Sequence, residues 1–185
     1  TGVQTCALPI CLVDKIMSRL GLSYTQIDTA ALAAVERSLR PNTRLVMLET
    51  PTNPMLGLTD IAAVRSILNK AHSSAMLAIA NTFATPYNQL RLSLGADLVW
   101  HSTTKYLNGH SDSIGGVVIT SRTDLSEKIR FIQNAGGAIL SPMDAWLILR
   151  GTKTLHLRMA KHNEIAQIIT EWLSCRCDIA RVYFP

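Results

Sequence analysis

The chain has 185 residues, 48% of them hydrophobic and 17% charged, with a formal net charge of +5. Such a composition excludes a disordered tail, which needs less apolar content and more net charge, and no apolar run nears the ~20 residues of a membrane span. The 18 Lys and Arg are scattered and the 5% of aromatics do not alternate with them, so the positive charge does not make a nucleic-acid platform. The expectation is a soluble cytoplasmic protein with no nucleic-acid or membrane partner.

Thr1 to Ile10 (TGVQTCALPI) carries neither helical nor strand period and reads as a non-native leader, similar to a translated sequencing adapter. The organised chain is expected from residue 11. Helical windows are predicted at about 11–20, 29–39, 59–72 and 123–135, with one long helix from about 143 to 174. Short apolar runs suited to buried strands are Arg44–Glu49, Ala75–Ala80, Asp97–His101 and Gly116–Thr120. Strands alternating with helices predict an α/β fold with a mostly parallel sheet and helices on both faces. The domain reading is a partial large domain over 11–142, then a connecting helix and the start of a smaller domain over 143–185. Cys6, Cys11, Cys175 and Cys177 match neither zinc spacings nor a disulfide framework, so no metal site is expected.

In a parallel α/β sheet, ligands bind beyond the carboxyl ends of the strands. Three such ends carry chemistry: Glu49–Pro54, Asn81–Tyr87 and His101–His110. The third sets Lys105 just past a strand, behind the hydroxyls of Ser102, Thr103 and Thr104. Hydroxyls donate to phosphate, and a desolvated lysine can form a Schiff base. Pyridoxal phosphate needs both. By spacing alone, an exposed lysine after a polar turn is the better reading of this segment. Thr50-Pro51 and Asn53-Pro54, in a tight loop beside a ligand site, are candidates for cis geometry.

The full segments go further. LETPTNP, NTFATPYNQLRLSLGAD and HSTTKYLNGHSD-SIGGVV resemble the Cys/Met-metabolism family of pyridoxal-phosphate enzymes of fold type I, in its cystathionine γ-synthase and γ-lyase branch. The resemblance runs from about Val13 to Pro185, and RGTKTLHLRM is similar to the family's interdomain helix. It implies β/γ-elimination or γ-replacement on cystathionine, activated homoserine, cysteine or methionine. It also implies a homo-oligomer, a dimer of dimers. Lys105 becomes the catalytic Schiff-base lysine and proton carrier, Ser102 and Thr104 the phosphate ligands, and Asn53 a neighbour of the cofactor's ring oxygen and the substrate carboxylate. Tyr106, Asn108, His110 and Asp112 shape the loop, and Glu49 is a buried structural acid.

Two departures qualify the resemblance. Where the family has an aspartate that pairs with the pyridine nitrogen, this chain has Ala80. The family's glycine-rich phosphate loop, ring-stacking tyrosine and carboxylate-binding arginine have no counterpart, and Arg150 does not match the last of these. Both ends read as cut, so an internal fragment is expected. The rival expectation is a non-catalytic paralogue that acts only as a folded or pairing subunit.

Overall fold

A computed structural model describes residues 8–71 and 74–185. Residues 1–7 of the expected leader, Cys6 among them, lie outside the described residues. Helix α1 (Leu8–Lys15) begins three residues inside the segment expected to have no period. Pro9 is tolerated there because first-turn amides have no intrahelical acceptor. A 3-10 turn, Met17–Leu20, stops at Gly21, whose φ of 85° suits glycine. Then follow α2 (Leu32–Ser38), β1 (Leu45–Glu49), α3 (Ile61–Lys70) and β2 (Met76–Ala80). After these come α4 (Thr85–Asn88), β3 (Leu98–Ser102), β4 (Gly116–Ile119), α5 (Thr123–Gly136), α6 (Pro142–Thr152) and α7 (Leu155–Ser174).

The sheet order is β1-β2-β3-β4. The first three strands are parallel, with Glu49 in register with Ala80 and Ala80 with Trp100. β4 runs antiparallel to β3, pairing Ser102 with Gly116. A parallel return needs a crossover, usually a helix, and the stretch between Ser102 and Gly116 contains none. Side chains alternate between faces along a strand. Leu48, Leu77, Ile79 and Val99 therefore share one face, where Val35 of α2 and Ile61, Val64 and Leu68 of α3 complete the core. Positions 61, 64 and 68 are the i, i+3, i+7 stripe of an amphipathic helix. The side chain of Asp60 caps that helix by accepting from Ala63 N at 2.9 Å. The opposite face carries Glu49, Ala80, Trp100 and, at its end, Ser102.

Asp97, just before β3, ties the amino-terminal edge of the sheet together. Its carboxylate accepts from Leu77 N at 2.8 Å and from the guanidinium of Arg65 on α3, and Arg122 Nη1 lies 3.4 Å away. Burial pushes this carboxyl up, but the Leu77 N–H and the two guanidinium groups outweigh it and hold the group below the usual aspartate range.

The long helix expected over 143–174 is two helices, broken at Lys153–Thr154. Neither residue is a helix breaker, so the interruption is tertiary in origin. Gly151 is pressed against the loop after β3, where a Cβ would lie 2.3 Å from Asn108 O. The start of α6 is set locally: Ser141 Oγ accepts from Asp144 N at 3.0 Å, with Pro142 in the first turn.

Candidate active site

The loops after β1, β2 and β3 meet at one edge of the sheet. After β1, both expected X-Pro bonds, Thr50-Pro51 and Asn53-Pro54, are cis. The loop folds on Thr52, whose Oγ1 accepts from Gly57 N at 2.9 Å. Asn53 is exposed on it, and its backbone N–H bonds to the Glu49 carboxylate. Burial raises that carboxyl above the ordinary glutamate value, and the Asn53 N–H only partly offsets it. No cation pairs with Glu49 among the described residues.

A buried arginine joins the first two loops. Arg91 is 3% exposed. Its Nε donates to Asn81 Oδ1 at 2.8 Å and its Nη2 to Thr50 O. Burial lowers its pKa to about 10. Asn81, the first residue after β2, also donates through Nδ2 to Gln89 O at 3.1 Å. His101 of β3 is buried against this group, and its Nδ1 has no partner. Burial, helped by the Arg91 charge and opposed by a bond to the Asn81 backbone, holds the imidazole below its usual pKa and therefore neutral.

The third loop turns tightly. Lys105 N donates to Ser102 O at 3.4 Å, and Gly109 N to Lys105 O at 2.7 Å. Gly109 has φ 75°, a left-handed conformation that suits glycine. Thr104 Oγ1 accepts from Gly115 N at 3.1 Å. Asn108 is fully buried and donates to Asp112 Oδ1 at 2.6 Å, while His110 Nδ1 contacts Asn108 O at 2.6 Å. Lys105 itself is exposed and opens onto a cleft of about 950 Å3. The cleft is lined by Phe83, Thr104, Lys105, Tyr106, Arg158 and His162, among others. The Tyr106 ring stands edge-on to Phe83 at 6.4 Å and 5.4 Å from His162.

Of the residues expected from sequence, Lys105 and Thr104 line this cleft, while Ser102 ends β3 beneath the turn and Asn53 stands on the separate β1 loop. Ser102 shares its sheet face with Ala80, one strand away. The lining residues to which the sequence alone assigns no role include Phe83, Asp144, Arg158 and His162. Phe83 lies inside the NTFATPYNQLRLSLGAD segment, where an apolar ring carries no chemical signal of its own. Arg158 and His162 are on α7, and nothing local distinguishes them from the other polar residues of that helix. The one signal is RGTKTLHLRM, which contains Arg158; His162 lies beyond it. Cys175 and Cys177 are unpaired, and no group of His, Cys, Asp or Glu among the described residues could hold a metal ion. No described helix is long and apolar enough to cross a membrane.

Comparison with known proteins gives the same picture along almost the whole chain. The family model described as Cys/Met metabolism PLP-dependent enzyme matches residues 9–185. A protein of Bacillus subtilis named cystathionine gamma-lyase is 44% identical over 174 residues, 94% of this chain and 45% of its own length. A probable cystathionine gamma-synthase of Herpetosiphon aurantiacus is 46% identical, over 94% of this chain and 54% of its own length. The crystal structure of cystathionine gamma-lyase from Lactobacillus plantarum complexed with L-serine superposes with a TM-score of 0.91 at 46% identity, covering 96% of this chain and 46% of that one. The chain thus spans about half the length of the relatives it matches.

Proposed function

This chain belongs to the Cys/Met metabolism family of PLP-dependent enzymes, and on that premise we propose that it carries the lysine-bearing part of a site for β/γ-elimination or γ-replacement on a sulfur amino acid or activated homoserine. The observation that carries the reading is Lys105. It opens onto the large cleft beside Thr104, one tight turn beyond Ser102, at the carboxyl edge of a parallel sheet. The residues present fit a phosphate-bearing aldehyde. An exposed amine stands next to a run of hydroxyls, and the buried Thr103 Oγ1 and Ser113 Oγ have no partner of their own.

Ser102 and Thr104 would hold the phosphate, Lys105 would bind the aldehyde carbon, and Asn53 would lie near the ring oxygen and the substrate carboxylate. When bound, pyridoxal phosphate supplies an electron-poor ring that takes up negative charge from the substrate α-carbon. Once a substrate amine has taken its place on the aldehyde carbon, the freed Lys105 Nζ would act as the base at the substrate α-carbon and would carry that proton onward to the γ-carbon. Arg91 keeps the β1 and β2 loops together beneath the site, and the Phe83–Tyr106–His162 ring contacts wall one side of the cleft. The names of the relatives favour a cystathionine-type amino-acid substrate. The reading includes a cytoplasmic homo-oligomer of the dimer-of-dimers type.

One observation favours a second reading, a non-catalytic paralogue that serves as a folded or pairing subunit: Ala80 stands where the family has its pyridine-pairing aspartate. Incubation with pyridoxal phosphate, borohydride reduction and peptide mapping separates the two readings. The catalytic reading expects label on the HSTTKY peptide alone. Label spread over exposed lysines such as Lys70 and Lys128 would favour the paralogue.

A further inference from the structure

We propose that Arg158, on α7, is a positioning residue for Lys105, and that the α6–α7 corner is therefore part of the active site. The inference rests on the reading of Lys105 given above. Arg158 uses its whole fork on backbone and hydroxyl oxygens. Nη1 donates to Tyr106 O at 2.7 Å, Nη2 to Gly151 O at 2.9 Å and to Leu107 O at 3.4 Å, and Nε to Thr154 Oγ1 at 3.1 Å. Two of those carbonyls belong to the residues immediately after Lys105. A third anchors the fork to the end of α6.

The packing is as specific as the hydrogen bonds. Gly109, whose N–H holds the Lys105 carbonyl, lies directly on the guanidinium: a Cβ there would meet Arg158 Nη1 at 2.1 Å. Gly151 is in similar contact with Asn108, as described above. The loop that carries Lys105 is therefore gripped from α7 on one side and from α6 on the other. The Lys105 side chain is exposed, so the position of its backbone decides where the amine enters the cleft. An ammonium cannot replace the fork, because its donors sit on one atom and cannot span three carbonyls.

The test compares the purified chain with Arg158→Lys, Arg158→Ala and, as a remote control, Arg65→Gln, which breaks the clasp at the opposite edge of the sheet. Each protein is incubated with pyridoxal phosphate and the visible circular dichroism of the bound cofactor is recorded. Each sample is then reduced with borohydride and mapped. Both Arg158 variants are expected to lose the induced dichroism and at least tenfold of the preference for Lys105 over Lys70 and Lys128. Guanidinium ion added to Arg158→Ala should restore both. Arg65→Gln should lower the melting temperature and leave dichroism and preference unchanged. Arg158 variants that keep both signals would overturn the positioning role while leaving Lys105 in place. Equal loss in Arg65→Gln would also overturn it, by tracing the effect to overall stability. An unmodified chain that shows no preference for Lys105 would overturn the proposed function itself.

Discussion

Glu49 and Ala80 stand side by side across β1 and β2, on the face that ends in Ser102. The acid this chain does have at that edge is therefore one strand away from the position at which the family places its own. Substituting Ala80, 5% exposed, by Asp would put a second carboxyl beside a Glu49 that burial already keeps raised. A buried polar group without a partner costs about 1–3 kcal/mol in proteins, so the cofactor-free Ala80→Asp variant should unfold at lower denaturant. With pyridoxal phosphate present it should bind at least tenfold more tightly, about 1.4 kcal/mol. Thermal shift and a cofactor titration read the two halves separately, and equal affinity for both proteins would rule out a pyridine-pairing role at this position. His101 makes a prediction of a different kind. The folded chain holds its ring neutral, whereas the unfolded chain protonates near the ordinary value of about 6.5. Its contribution to stability is therefore complete above that pH and is lost as the pH falls towards the lower folded value. Urea midpoints measured from pH 7.5 to 5.5 should fall, and His101→Gln should flatten that slope whatever it does to the absolute midpoint.

The Asp97 clasp works at the scale of elements, because one carboxylate reaches α3, β2 and the segment leading into α5. Asp97→Asn keeps the shape and removes the charge. Hydrogen bonds to charged groups contribute about 1.5–3 kcal/mol, so a loss of that order at pH 7 is expected. Because the folded carboxyl is held low, the loss should shrink as the pH falls below about 4 and the parent protein protonates as well. A stability difference that stays constant down to pH 3 would show that the charge is not what matters. The same elements show how much could be read in advance. Each of the four strands was legible to within one residue, since a strand announces itself as a short apolar run. The burial expected of all four fails for β4, which is exposed along its length because no described element covers it. The Lys105 turn was legible because its hydroxyls and lysine are contiguous in sequence. Three features were not. The direction of β4 depends on what the preceding loop cannot do. The break between α6 and α7 depends on Gly151 meeting Asn108, residues 43 positions apart. The place of Arg158 depends on carbonyls 51 and 52 residues earlier. The last two are long-range packing events, and local period carries no trace of them.

Considered whole, the chain leaves a great deal of apolar surface in water. Leu45, Met47 and Val118 are exposed on one face of the sheet, and Phe131, Trp146 and Leu149 are exposed on α5 and α6. Monomeric soluble proteins rarely leave extensive contiguous apolar surface uncovered. At micromolar concentration the chain should therefore elute above the mass of one copy and bind a hydrophobic dye strongly. Replacing Phe131 and Trp146 by Ser should reduce both signals without lowering the folded fraction. A monomeric, dye-silent chain would count against the oligomeric part of the proposed function.

The 52 residues between the Tyr106 carbonyl and the arginine that holds it also set a timetable during synthesis. A ribosome adds roughly 5–20 residues per second, so the lysine loop leaves the exit tunnel about 3–10 seconds before its clamp does. In that interval the strands can pair and the helices can settle on them, but the loop after β3 has nothing to hold it in its final form. Newly made chains should therefore capture pyridoxal phosphate selectively only after α7 has emerged. Nascent chains stalled with Arg158 still inside the tunnel, and with all of α7 outside it, would differ in their borohydride-trapped label at a single lysine.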